Sequence, residues 1–138
     1  MNIHSQKIYD TIVVGAGISG LSAAYHLKKF SPKAEFLVLE GRDNFGGTWD
    51  FFKYPGIRSD SDMHTLGFSF KPWNSRKFIA DGPAIMNYLD ETIEENNLKD
   101  LIKFNMHIES ASWNSVDSLW ELSINNKKLN KLEIIKTK

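Results

Sequence analysis

The sequence predicts a single α/β domain: a parallel βαβ unit followed by a second helix and a β-hairpin. Three observations carry this. Two short β-rich apolar runs, Ile8 to Val14 and Phe36 to Glu40, each end against a glycine, as buried parallel strands do. Between them Ile18, Leu21, Ala24, Tyr25 and Leu27 recur near helical spacing over Ile18 to Lys29, with Pro32 beyond the helix end. A strand, a helix and a strand within about thirty residues make a βαβ unit, which is parallel with a right-handed crossover.

After this unit, Gly41 to Asp81 is rich in Gly, Pro, Asp, Ser and aromatic residues and has no sustained period, so it reads as an unusually long, functional loop. Asp81-Gly82-Pro83 marks a helix start, and Ile85, Leu89, Thr92 and Ile93 form one face of a helix ending near Asn97. Asp90, Glu91, Glu94 and Glu95 form its solvated face. Ile102, Phe104, Met106 and Ile108 alternate with Lys103, Asn105 and His107, as in one strand with one wet side. Ser110 to Asn114 and Leu119 to Ile124 flank Ser115-Val116-Asp117-Ser118 as a hairpin, while Asn125 to Lys138 shows no clear period.

The length, 138 residues, fits one domain, and 41% apolar with 25% charged residues is ordinary for a globular protein. Seventeen basic side chains balance seventeen acidic ones, which removes the electrostatic case for a nucleic-acid partner and favours small molecules. With no cysteine, disulfides, thiolate metal sites and cysteine nucleophiles are excluded. No apolar run approaches the roughly 20 residues of a membrane span, so the expected location is the cytoplasm.

Gly15-Ala16-Gly17-Ile18-Ser19-Gly20 is G-x-G-x-x-G, placed between the first strand and its helix. The first glycine suits a tight turn, the second lets backbone approach a pyrophosphate, and the third lets helix pack closely on strand. The helix N-terminus adds free N–H groups and partial positive charge. Glu40 follows Gly20 by twenty residues, the spacing of an acid that holds ribose hydroxyls and repels a 2′-phosphate, so the adenosine is expected to be that of FAD or NAD. Arg42 suits a phosphate, an adenine or a surface ion pair. Gly46-Gly47-Thr48-Trp49 reads either as a second close approach of backbone to ligand or as a plain turn.

These segments, with Glu40-Gly41-Arg42, Phe45 to Trp49, Tyr54-Pro55-Gly56-Ile57-Arg58-Ser59-Asp60-Ser61-Asp62 and Thr65 to Phe70, make the chain similar, as far as about Ile124, to the N-terminal part of flavin-containing and Baeyer-Villiger monooxygenases. The resemblance implies a Rossmann-like FAD-binding domain. Gly15, Ala16, Gly17, Ile18, Ser19 and Gly20 would face the FAD pyrophosphate, and Glu40, Gly41 and Arg42 the adenosine. Gly47, Thr48 and Trp49 would lie towards the flavin, and Ile108 would also touch the cofactor. Asp60 matches a family aspartate beside the flavin and nicotinamide, the candidate catalytic residue. By family, NADPH reduces the flavin, O2 adds to it, and a small organic substrate takes one oxygen atom, by heteroatom oxidation or Baeyer-Villiger insertion.

Two other readings of the loop compete. Asp60, Asp62 and His64 alternate as metal ligands can, but no further cluster completes a site, so no metal is expected. Phe68, Phe70 and Trp73 suit a substrate wall, or more simply core. Family members are much longer and carry a second glycine-rich βαβ unit for NADPH; neither it nor the Baeyer-Villiger fingerprint occurs in these residues. The expectation is a partial FAD-binding domain over residues 1–138 without the NADPH domain, binding FAD weakly and not turning over NADPH, from a truncated gene or a split enzyme completed by a second chain. The alternatives are a non-catalytic FAD- or NAD-binding module and a different class of FAD oxidoreductase.

Overall fold

Asp10 interrupts the first apolar run, and there the chain divides between two sheets: β1 (Ile8–Tyr9) and β2 (Thr11–Val14) replace the single strand expected. The Asp10 N–H donates to Glu35 O (2.8 Å), and its carboxylate accepts from the Glu35 N–H (2.8 Å) and the Lys138 ammonium (2.6 Å). The computed structural model, which describes residues 7–138, continues through α1 (Ile18–Phe30), β3 (Phe36–Leu39), α2 (Thr48–Phe51), α3 (Met63–Leu66) and α4 (Gly82–Glu95). After a 3₁₀ turn at Lys99–Leu101 come β4 (Ile102–Lys103), β5 (Met106–Asn114), β6 (Leu119–Asn126) and β7 (Lys131–Thr137).

The βαβ unit forms as expected: β2 pairs in parallel with β3, Thr11 opposite Phe36 and Val14 opposite Leu39, and β3 pairs in parallel with β4. Side chains alternate across this sheet and sort into two cores. Val13, Phe36, Val38 and Ile102 join Leu21 and Ala24 of α1 and Ile85, Leu89 and Ile93 of α4 in one cluster. Ile12, Leu37 and Leu39 meet Leu122, Ile124 and Ile135 in the other. The second sheet, in the order β1-β7-β6-β5, therefore covers one face of the parallel sheet, and the helices cover the other.

Three further expectations need correction. The strand expected over Ile102 to Ile108 is broken at Asn105, whose φ of 61° bends the chain from the parallel sheet into the antiparallel one. Asparagine tolerates that left-handed conformation because its short polar side chain compensates locally. The aperiodic tail is ordered structure: β6 continues to Asn126, and β7 pairs antiparallel with β6 and parallel with β1. Pairing on both sides supplies what a mixed lysine-rich sequence cannot show as a period. The long loop holds α2 and α3 and lies on the core, with Met63, Phe68 and Ala80 buried.

That loop is stitched shut by polar contacts. Ser59 N–H donates to Ala80 O (2.8 Å) and Met63 N–H to Phe78 O (2.8 Å). Phe70 stacks on Tyr25 (3.5 Å between centroids) and on Phe68 (4.8 Å), while Trp73 lies edge-on to Tyr88. The aromatic stripe is core rather than substrate wall. No helix among the described residues is long and apolar enough to cross a membrane.

Tyr88 ties α4 to the loop: its hydroxyl accepts the Phe68 N–H (2.7 Å) and donates to Lys71 O (2.6 Å). Tyr88→Phe leaves both groups without a partner and is expected to cost about 1–3 kcal/mol, read from the urea midpoint; an unmoved midpoint would contradict this account. Asp62 and Asp81 cap α3 and α4. Both carboxyls are held below the ordinary value of 3.8, Asp62 first by the Thr65 hydroxyl and Asp81 first by the Ala84 amide. The folded chain thus favours their ionised forms, a contribution complete above 3.8 and lost as pH falls through the lowered folded values. Asp81→Asn keeps a capping oxygen but does not titrate. It should flatten the acid limb of stability measured from about pH 5 down to about pH 2.

Candidate functional site

At the carboxyl ends of β2 and β3 two glycine loops cross with their backbones in contact. Gly15 turns at φ 89°, and Gly46 and Gly47 at 109° and 53°, values that only glycine adopts freely. A Cβ on Gly47 would lie 3.1 Å from Gly17 Cα, and a Cβ on Gly20 would run into the Gly15 carbonyl oxygen. The Gly46 N–H donates to Ala16 O (2.9 Å), fixing the second loop against the first. Between them opens a crevice of about 250 Å³ lined by Val14, Gly15, Gly17, Ile18, Ser19, Gly20 and Gly46 to Trp49. Gly17 supplies no side-chain cap to α1, whose first turn carries no acid, so these amides have no anionic partner among the described residues.

One side of this crossing is organised by Glu40, buried to 8% exposure. One carboxylate oxygen accepts the Ala16 N–H (2.8 Å) and the other the Arg42 N–H (2.9 Å). The Arg42 guanidinium turns to the buried carboxylate of Asp50, reaches the Gly47 carbonyl at 3.4 Å and lies 5.2 Å over the Phe51 ring. Asn44 Nδ2 donates to the other Asp50 oxygen (2.8 Å), and Lys53 stands 3.7 Å from it. The contacts close into a ring: Ala16 to Glu40, Glu40 to Arg42, Arg42 to Gly47, and Gly46 back to Ala16.

Of the residues singled out by sequence, Gly15, Gly17, Ile18, Ser19, Gly20, Gly47, Thr48 and Trp49 line one crevice, with Ala16 buried beneath it. Glu40 and Arg42 join it through the ring. Gly41 lies elsewhere: a Cβ there would meet His107 Nδ1 at 2.9 Å, so this glycine admits β5. Ile108 packs with Leu39, Leu122 and Ile124 in the second core, and Asp60 is exposed before α3; neither lines the crevice. Asp62 accepts from the Thr65 N–H and hydroxyl, both at 3.0 Å, and the His64 ring faces Phe78, so these two side chains are engaged in loop structure. Asp50 was missed. An acid one residue past Gly-Gly-Thr-Trp has no signal of its own until folding brings Arg42 and Asn44 to it.

Residues 13–91 match the NAD(P)-binding Rossmann-like domain. The FAD-containing monooxygenase EthA of Mycolicibacterium smegmatis is 52% identical over 116 residues, 84% of this chain and 24% of that protein. The probable FAD-binding monooxygenase AlmA of an Acinetobacter species is 51% identical over 125 residues, 89% of this chain and 25% of that protein. Among solved structures, an oxidized steroid monooxygenase bound to NADP superimposes with a TM-score of 0.84 at 26% identity, covering 95% of this chain and 25% of that one. Cyclohexanone monooxygenase from Rhodococcus sp. Phi1 bound to NADP+ gives 0.82 at 27% identity, covering 96% and 25%. The chain spans about a quarter of the length of the curated relatives it matches. With a glycine crossing, a βαβ unit and a matched segment covering more than half of its residues, the chain belongs to the family of NAD(P)-binding Rossmann-like domains, in the form carried by FAD-containing and Baeyer-Villiger monooxygenases.

Proposed function

We propose that the crevice holds the diphosphate of FAD, with the ribose on Glu40, and that the chain is the FAD-binding part of an NADPH-dependent flavoprotein monooxygenase. The observation that carries this reading is the approach of Gly17 to Gly47, which leaves bare main chain and uncapped α1 amides where a diphosphate needs them. The buried Glu40 carboxylate fits the group for a second reason: with one N–H on each oxygen, it retains lone pairs for ribose hydroxyls. When bound, the flavin supplies the redox chemistry that transfers one oxygen atom of O2 to a small organic substrate.

The chain's own contribution is to bind and orient. Ser19 and Gly20 present first-turn amides, Gly47 and Thr48 close the other wall, and Trp49 extends it towards the flavin end. Gly41 and Ile108 belong to the same reading at one remove, shaping the floor that carries Glu40. Asp60 is the proposed residue nearest the reacting centre, on its match to the family segment. The substrate, O2, NADPH, a second chain completing the enzyme, and a cytoplasmic location all follow from the same reading. The names of the EthA and AlmA relatives support it.

Two glycine variants separate binding from folding. Gly17 has φ −79°, and its added Cβ would meet Gly47 Cα at an ordinary 3.6 Å, so Gly17→Ala is expected to fold with an unchanged melting temperature. Its methyl group enters the crevice, and affinity for FAD, followed by quenching of flavin fluorescence, should fall about tenfold or more. Gly20→Ala drives a Cβ into the Gly15 carbonyl and should instead lose about 3 kcal/mol of stability. Flavin binding indifferent to Gly17→Ala, or no quenching by the unsubstituted chain, would remove the proposal.

A further inference from the structure

Asp50 sits outside the crevice, is 7% exposed, and does not line its walls, yet three side chains converge on it. The most consequential is Arg42. Its backbone is fixed two residues after Glu40 by the N–H it gives that carboxylate, which places the side chain's root at the ribose edge of the crossing. An arginine rooted there is the usual means by which this type of fold accepts a 2′-phosphate. Here the guanidinium is held elsewhere, by the Asp50 carboxylate, the Gly47 carbonyl and the Phe51 ring. Asp50 itself is aimed by Asn44 Nδ2 and by the α2 backbone, where its N–H donates to Gly47 O at 3.2 Å.

We infer that Asp50 is a positioning residue for nucleotide selection: by holding Arg42 it keeps the ribose edge anionic and restricts the crevice to adenine nucleotides without a 2′-phosphate. This rests on the nucleotide-binding reading above and deepens it. Glu40 alone repels a 2′-phosphate, but a free guanidinium two residues away would offset that repulsion with charge-assisted hydrogen bonds. The Arg42–Asp50 pair removes the offset. It also lends Arg42 to the second glycine loop, so one carboxylate serves both the shape of the crevice and its choice of ligand.

The test compares ADP with adenosine 2′-phosphate 5′-diphosphate by calorimetric titration of the 138-residue chain. The chain should prefer ADP. Asp50→Asn retains an acceptor for Asn44 but not the charge that holds Arg42, and should shrink the preference about tenfold by gaining affinity for the 2′-phosphorylated ligand. A merely structural role for Asp50 would lower both affinities together. In the Arg42→Ala background the same substitution should leave the ratio unchanged. Arg42→Ala alone should alter both affinities by one factor, an arm that decides the matter even where Asp50→Asn fails to fold. An unchanged ratio in folded Asp50→Asn, or a selective loss of the 2′-phosphorylated ligand in Arg42→Ala, would overturn the inference. Absence of any ADP binding by the unsubstituted chain would overturn the nucleotide reading itself.

Discussion

Two stretches of main chain touch at Gly17 and Gly47, and much of the surrounding structure serves to hold them there. Gly47 turns at a positive φ, and a Cβ on it would press on Gly17 Cα at 3.1 Å, so this close approach requires Gly47 to be a glycine. Such a crossing has little apolar surface of its own to stabilise it. It is stabilised by polar contacts around its rim, from Ala16 through Glu40 and Arg42 to Gly47, and back through Gly46. Each member satisfies a donor or acceptor that burial would otherwise leave costly.

The layers beneath give that rim its rigidity. Strict alternation along β2 and β3 sends Val13 and Val38 towards the helices and Ile12, Leu37 and Leu39 towards the antiparallel sheet, so the strands are gripped from both faces. The crevice then opens at their carboxyl ends, where open α/β sheets place ligands. Glu40 is carried to it as the residue directly after β3, held by the same strand that is packed on both sides.

The βαβ unit was legible because its signals are local: two apolar runs, a helical period and glycines at fixed offsets. The crevice was legible for the same reason. What sequence did not display depends on partners distant along the chain. Asp10 and Asn105 each stand where one strand ends and another begins in the other sheet, and a single polar residue within a strand-like run does not reveal an exchange of sheets. β7 owes its order to β6 on one side and β1 on the other. Asp50 became visible only once Arg42 and Asn44 had folded onto it, and the close approach of His107 to Gly41 likewise appears only in the fold.

The pairing of β1 with β7 joins the two ends of the described chain, and the Lys138 ammonium clasps Asp10 across 128 positions of sequence. Contacts so remote form late, because closing a long segment costs entropy before any stabilisation is returned. During synthesis β1, whose strand partner is β7, must therefore wait until almost all of these residues have emerged. The second sheet thus acts as a clasp, set last, on a crevice whose lining residues all lie between Val14 and Trp49.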